Sequence, residues 1–398
     1  MSGTEKSKNG SQHRVMLPGH TTIGILGGGQ LGRMLTLAGT AMGYRFITLD
    51  PAKDAPCGQV ARQIEAGYAD EGAALELARQ CDVITYEFEN VDAGVAALLE
   101  RESYVPQGSS LLYTTQHRLR EKRAIEAAGV RVAPYREITS ADTMQAAVGE
   151  LGVPCVLKTV TGGYDGKGQR VIRDAAQALK AYEELAATGA ELVLEQFIKF
   201  DCEISVVVAR STAGEIKTFP PAENIHVNNI LHASIVPARV PADIQLEAQK
   251  LAAAVAESME AVGLLAVEMF VAADGRLYVN ELAPRPHNSG HYTMEACATS
   301  QFEQHIRAIC GLPLGDTTLL SPVVMVNVLG EHLEPIIERT GAPDADAIEL
   351  GVIPKLHIYG KTEAKTGRKM GHVNLLCHDV EEGLQWIEQT TIWRNTNS

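Results

Sequence analysis

The sequence predicts an α/β domain at the N-terminus, an α+β domain in the middle and a small C-terminal domain. Three observations lead there. From Thr21 a strand, a glycine-rich turn, a helix and a second strand follow one another, which is the opening of a doubly wound sheet. Further on, strand-rich halves flank one long helix, with a glycine-rich hairpin tip before it and an Asp-Gly turn after it. The length, 398 residues, exceeds what one hydrophobic core usually organises.

In the first domain TIGIL and YRFITLD read as strands, with a helix from about Gln30 to Met42 between them. A further strand, DVITYEF, ends in Glu87 and Glu89, at the carboxyl end where such sheets bind ligands. A helix from about Thr115 to Ala128, closed by Gly129, leads out of the domain. VPCVLKTV and QRVIR then flank TGGYDGKG, and ELVLEQFI and EISVVVAR follow as strands. The long helix runs from about Asp243 to Val262, with Leu251, Val255, Met259 and Val262 at helical spacing. After the hairpin LLAVEMFVAADGRLYVNELAPR, the tail holds VVMVNVLG, KLHIYGK and a last helix near Val380 to Glu388. The boundaries expected are a disordered polar leader over 1–20, then domains over 21–115, 116–312 and 313–398.

Composition narrows the function. With 49 acidic and 35 basic side chains the formal charge is −14, a surface that repels a phosphate backbone, so nucleic acid is not an expected partner. The seven cysteines form no C-x-x-C pair, which points to buried thiols in a reducing compartment. The polar start lacks the apolar stretch of a signal peptide, and the most apolar run, VGLLAVEMFVAA, is broken by Glu268. A cytoplasmic protein without a membrane partner is expected.

Gly27, Gly29 and Gly32 fit G-x-G-x-x-G between a strand and a helix, with Asp50 ending the next strand. Backbone N–H groups at a helix start bind phosphate whatever molecule it belongs to, so the pattern marks an anion site before it marks a dinucleotide. The turn would hold the phosphate of a dinucleotide or of another ligand, or is simply a tight structural turn. A second constellation lies around Asp274-Gly275, a two-residue hairpin signal. Pairing outward from that loop sets Met269 against Asn280 and Glu268 against Glu281, with Asn280 on the opposite face from the carboxylates. Two opposed carboxylates repel unless a hard cation such as Mg²⁺ joins them; two glutamates facing water are the plain alternative. Lys158 ends a strand just before the glycine tip and suits a phosphate grip. That tip is not a P-loop, because no Ser or Thr follows Lys167, and Gly360-Lys361-Thr362 lacks the first P-loop glycine. Glu195 and Glu203, at two strand ends, suit an adenine amino group and ribose hydroxyls, or are simply surface glutamates. His287 and His291 lack the glutamate of a zinc-protease motif. Arg285 and Asn288 directly follow the hairpin, where they would meet a transferred phosphoryl group as catalytic residues.

The order GGGQLGRM, VLKTVTGGYDGKGQ, EQFI, NELAPRPHNSGH and GRKMGH resembles the N5-carboxyaminoimidazole ribonucleotide synthetase family from roughly Thr21 to Trp393. The resemblance implies an ATP-grasp architecture: a Rossmann-like N-terminal domain, a central ATP-grasp domain and a small C-terminal domain, assembled as a homodimer. ATP would meet Arg118, Lys158, Gly163, Tyr164, Asp165, Gly166, Lys167, Gly168, Gln169, Glu195, Gln196, Phe197, Ile198, Glu203, His226, Asn280 and Glu281. Glu268 and Glu281 would hold Mg²⁺. Gln30, Glu87, Tyr164, Asp165, Lys355 and Arg368 would surround aminoimidazole ribonucleotide, whose phosphate the glycine turn would hold, and TGGYDGKG would be a lid. Lys167 departs from the family, standing where many relatives carry arginine. The reaction implied is ATP-dependent carboxylation of that ribonucleotide with bicarbonate, through carboxyphosphate. The rival readings are a formate-dependent glycinamide ribonucleotide transformylase, a dinucleotide-dependent oxidoreductase and a nucleotide-binding regulator without turnover.

Overall fold

The computed structural model describes residues 14–162 and 168–394. Its first unit is a parallel sheet of β1 (Thr22–Leu26), β2 (Arg45–Asp50), β3 (Arg62–Glu65) and β4 (Val83–Tyr86), in the order β3-β2-β1-β4. α1 (Gln30–Ala41), α2 (Glu71–Gln80) and α3 (Ala93–Glu102) cover it. All of β4 is buried, as a strand covered on both faces must be. The expected helix from Thr115 is α5 (Arg118–Ala127), which starts three residues later and follows a short separate helix, α4 (Ser110–Thr115). His117 separates the two with an extended backbone and caps α5, its Nδ1 accepting the Arg120 N–H.

The second unit is antiparallel. β5 (Tyr135–Ile138), β6 (Cys155–Thr159), β7 (Gln169–Ile172) and β8 (Leu192–Gln196) run in the order β5-β8-β6-β7 and pack against α6 (Ala141–Leu151) and α7 (Ala178–Ala186).

Residues from 200 onward build one large sheet from β9 (Phe200–Arg210), β10 (Ile216–Thr218), β11 (Ala222–Val227), β12 (Ile230–Val236), β13 (Gly263–Ala272), β14 (Leu277–Ala283), β15 (Val323–Leu329), β16 (Ile353–Ile358) and β17 (Lys369–Leu376). The order is β14-β13-β9-β11-β12-β15-β17-β16, with β10 beside β9. The C-terminal strands therefore continue the central sheet through the β12–β15 pair, Ala233 opposite Val326. α8 (Ala242–Ser258), α9 (Thr293–Ala296) and α10 (Gln301–Ile309) belong to the centre, and α11 (Leu333–Arg339), α12 (Ala345–Leu350) and α13 (Val380–Thr390) to the tail. α8 stops short of Val262 because Glu260 turns left-handed, at φ 49°.

The polar leader departs from expectation at its end. Met16 is buried, donates its N–H to Cys310 O at 2.8 Å and accepts the Tyr44 hydroxyl at 2.7 Å. An apolar side chain with satisfied backbone groups is enough to fix residues that their polar neighbours led us to assign to a disordered segment.

The β13–β14 hairpin sets Glu268 opposite Glu281, as expected, by a different route. Nearer the turn Met269 faces Val279, not Asn280, because the loop contains Ala273 as well as Asp274 and Gly275. A bulge between Glu268 and Met269 then restores the carboxylate pair, leaving Asn280 as the extra residue. The core positions Leu277, Val279 and Leu282 step by two and then by three. Asn280 and Glu281 consequently both lie off the core face, which corrects the expectation that Asn280 points away from the carboxylates.

Candidate active site

The glycine turn is shaped by two of the protein's own carboxylates. Asp50 Oδ2 accepts the Gly28 N–H at 2.7 Å, and Glu87 accepts the N–H groups of Gly29 and Gly32. A Cβ on Gly27 would lie 2.4 Å from Glu87 Cγ, and one on Gly29 2.6 Å from Glu87 Oε1. The glycines admit Glu87, a reason for the motif that sequence spacing does not reveal. Burial pushes the Glu87 carboxyl above the ordinary range, against the pull of those two N–H bonds. In this structure the N–H groups of Gly28, Gly29 and Gly32 are thus bonded to the protein's own carboxylates, which the phosphate readings of the turn did not foresee. Glu87 supports the loop and also lines the cleft, together with Gln30 and Leu31.

The paired glutamates differ in their partners. Glu268 Oε1 lies 3.0 Å from His287 Nε2, and Glu281 Oε2 lies 3.8 Å from Arg118 Nη1. Burial opposes ionisation of Glu268, but the His287 bond and charge outweigh it and bring the pKa to about 2. Burial between the walls and the charge of Glu268 push Glu281 the other way. Because 50% of the Glu281 side chain is exposed, the like-charge repulsion is the firmer cause. Among the described residues no cluster of three or more His, Cys, Asp or Glu side chains is arranged to hold a metal. Mg²⁺ needs less: two carboxylates completed by substrate phosphates fit its habits, and Glu268 with Glu281 supply that donor set.

Lys158 and Glu195 meet on the neighbouring sheet. Lys158 Nζ donates to Glu195 Oε2 at 2.8 Å, and Lys122 Nζ lies 3.1 Å from Glu195 Oε1, an ion pair without hydrogen-bond geometry. Burial would raise the Glu195 pKa, yet the two lysines hold it down to about 2. Its carboxylate is committed to them in this structure, a pairing that the expected contact with adenine or ribose did not foresee. Lys122 was missed by the sequence reading, although it stands three residues from each of the buried Leu119 and Ile125. Gln196 ends β8, and the N–H groups of Gln196 and Phe197 donate to Pro134 O and Pro154 O, which fixes the segment leading to Ile198. On the large sheet Glu203 Oε2 of β9 holds His226 Nδ1 of β11 at 2.9 Å; burial lowers the His226 pKa, but Glu203 outweighs it and raises it. Gly168 and Gln169 return the hairpin to β6, Gln169 opposite Lys158. Gly163, Tyr164, Asp165, Gly166 and Lys167 lie outside the described residues.

A cleft of about 290 Å³ opens between the parallel sheet and the large one. Gln30, Glu87, Arg285 and Asn288 all line it, as the sequence led us to expect, and His287, His291 and Lys369 join them. Arg285 is held by Glu89, and both side-chain polar atoms of Asn288 are buried without a partner among the described residues. Lys355 does not reach the cleft: it is exposed on β16, opposite Asn374. Lys361, which was passed over with the failed P-loop pattern, is instead half-buried near Glu87, Arg368 and Lys369. Lys361 Nζ donates to Lys369 O at 2.7 Å, and burial, with the Arg368 charge next, brings its pKa to about 8. Arg368 is exposed beside it, donating to Glu363 O at 2.8 Å.

Comparison with known proteins matches three family descriptions in turn: a ribonucleotide synthetase preATP-grasp domain over 20–116, an ATP-grasp domain over 123–302 and a phosphoribosylaminoimidazole carboxylase C-terminal domain over 323–385. Fold and site thus define an ATP-grasp protein. N5-carboxyaminoimidazole ribonucleotide synthase of Bacillus subtilis is 51% identical over 383 residues, 96% of this chain and 97% of its own. The solved ADP complex of an N5-carboxyaminoimidazole ribonucleotide synthetase superposes with TM-score 0.90 at 53% identity, covering 96% of this chain and 99% of that one. The Aspergillus clavatus enzyme with ADP and 5-aminoimidazole ribonucleotide gives TM-score 0.85 at 29% identity, over 94% and 99%. The chain belongs to the N5-carboxyaminoimidazole ribonucleotide synthase family.

Proposed function

We propose that this chain is an ATP-dependent ligase that carboxylates the exocyclic amine of 5-aminoimidazole ribonucleotide, a step of purine biosynthesis. Bicarbonate is the carbon source, Mg²⁺ the metal, and the working form a cytoplasmic homodimer of three domains bounded near residues 115 and 312. The carrying observation is the cleft in which Asn288, unsatisfied and buried, lies with Arg285 beside the Glu268–Glu281 pair.

In this reading a bicarbonate oxygen attacks the γ-phosphorus of ATP, and ADP leaves, forming carboxyphosphate. The amine then attacks the carboxyl carbon, phosphate leaves, and a proton is lost from nitrogen. Mg²⁺ held by Glu268 and Glu281 would neutralise phosphate charge. Lys158 is aligned by Glu195 toward the phosphates, and Glu203 with His226 suits the nucleoside end. Arg285, oriented by Glu89, and Asn288 stabilise the charge that builds on the transferred groups. The test is phosphate release with bicarbonate, formate and acceptor varied separately. Release that requires acceptor and bicarbonate supports the reading, and release that follows formate refutes it. Glu268→Gln and Glu281→Gln should each abolish turnover with an unchanged circular dichroism spectrum; wild-type activity in either would remove the metal assignment.

A further inference from the structure

His291 lines the cleft, is almost fully buried, and has no part in the chemistry above. Its tautomer follows from its surroundings. Gln301, at the start of α10, accepts the His287 N–H through its side-chain oxygen at 2.9 Å and donates from its amide nitrogen to the His287 carbonyl at 2.8 Å. Those two backbone groups fix the amide orientation, because a flip would set donor against donor and acceptor against acceptor. The amide nitrogen also lies 3.0 Å from His291 Nδ1. Nδ1 must therefore accept, and the ring hydrogen sits on Nε2.

The ring stays neutral. Burial depresses its pKa well below the ordinary histidine range, and positive charge on His287, His357, Lys369 and Arg285 acts in the same direction. Among the described residues Nε2–H has no hydrogen-bond partner. The neighbouring His372, with ring centroids 4.8 Å away, does not receive it: its Nδ1 is paired with the Tyr359 hydroxyl at 2.9 Å and its Nε2 has no partner among the described residues. A donor fixed in orientation on the wall of a cleft is placed to meet an acceptor oxygen of a ligand.

We propose that His291 Nε2–H donates a hydrogen bond to an anionic oxygen of a substrate in this cleft, and that Gln301 is the positioning residue that fixes the donating tautomer. The proposal rests on the carboxylation reading for the identity of the substrates. It also removes His291 as the base for the amine proton, because Nδ1 is blocked and Nε2 already carries hydrogen. The oxygen belongs either to the phosphate ester of the ribonucleotide or to the bicarbonate-derived carboxyl group, and kinetics separates the two.

His291→Phe keeps a ring without a donor, and His291→Gln carries an amide N–H about as far from the backbone as Nε2. Steady-state constants for ATP, acceptor and bicarbonate are measured on both variants and the wild type, whose activity independently checks the reaction itself. The phenylalanine variant should raise the acceptor or the bicarbonate KM by about 10- to 150-fold, and the glutamine variant should restore it to within about threefold. The constant that moves identifies the oxygen. Unchanged constants in His291→Phe, or equal losses in both variants, overturn the proposal. Should His291→Phe fail to fold, ¹⁵N NMR of histidine-labelled wild type decides, with the His291 signal located by its loss in His291→Gln. A neutral ring protonated at Nε2 is expected from pH 6 to 8; protonation at Nδ1, or titration in that range, sinks the assignment. Gln301→Glu should reverse the tautomer in the same spectrum, which a merely structural role for Gln301 would not require.

Discussion

Glu195 shows what one buried charge does here. It joins Lys158 of the adjacent strand β6 and Lys122 of the helix α5, and Lys122 is only 2% exposed. Glu195→Gln would leave both ammonium groups without a counter-charge, and breaking a buried pair from one side costs about 3–5 kcal/mol. The same contact predicts an acid limb. The folded pKa of about 2 lies below the ordinary carboxylate value, so the folded chain binds fewer protons at this site. The contribution is complete above the unfolded pKa and is lost as pH falls toward about 2. Urea unfolding between pH 2 and 7 should show a shallower acid loss in Glu195→Gln than in wild type. Parallel curves would mean that the triad is not a linkage site. The sequence placed Glu195 and Lys158 in the site and described both as ligand contacts. What it lacked was Lys122, because α5 reads RLREKRAIEA, a helix charged on every side, and a lysine on a buried stripe looks like a lysine in water until its partner strand is known.

At the scale of elements the metal hairpin was legible for its outcome and not for its cause. Ala273 lengthens the loop by one residue and Asn280 is inserted one residue later in register, so two departures from the simple Asp-Gly hairpin cancel at Glu268–Glu281. Alternation cannot expose a bulge that swaps one polar residue for another. Deleting Asn280 should therefore keep Met269 against Val279 and Glu268 against Glu281, and keep Leu282 in the core. Thermal unfolding should remain cooperative while turnover falls at least about tenfold, the loss of one hydrogen bond of about 1.4 kcal/mol. An unfolded deletion variant would contradict the register argument, and an active one would leave Asn280 without a role. The glycine turn was legible in the opposite sense, with its elements right and the carboxylate partners of its N–H groups unforeseen. Calorimetric titration with NAD or NADP should give no heat of specific binding, because Asp50 and Glu87 already meet Gly28, Gly29 and Gly32. Micromolar binding of either would show that these carboxylates give way.

Across the whole molecule, the cleft exists only because distant segments are locked together. Thr85 of β4 bonds His305 of α10 at 2.8 Å, and Gln59 donates to Gly360 O at 2.6 Å, tying the parallel sheet to both the centre and the tail. Sequence motifs named most of the lining, yet they could not rank the cations of the tail, since β17 was not foreseen and its pairing with β15 and β16 decides which lysines turn inward. Lys355 stays on the exposed edge, while Lys361 is half-buried near Arg368, Lys369 and Glu87. An inward cation that bonds phosphate is worth about 1.5–3 kcal/mol. Lys361→Met should then raise the acceptor KM by about 10- to 150-fold with the ATP constant nearly unmoved, and Lys355→Ala should change neither. The pH dependence gives a separate sign. A folded pKa of about 8 means that the ammonium is present below that pH and lost above it, so kcat/KM for the acceptor, which reports the free enzyme, should fall as pH rises past about 8. Lys361→Arg keeps its charge throughout that range and should abolish the fall, even if its level is lower. A fall that persists in Lys361→Arg, or an acceptor KM that moves with Lys355 instead, would return the phosphate to the exposed edge of the tail.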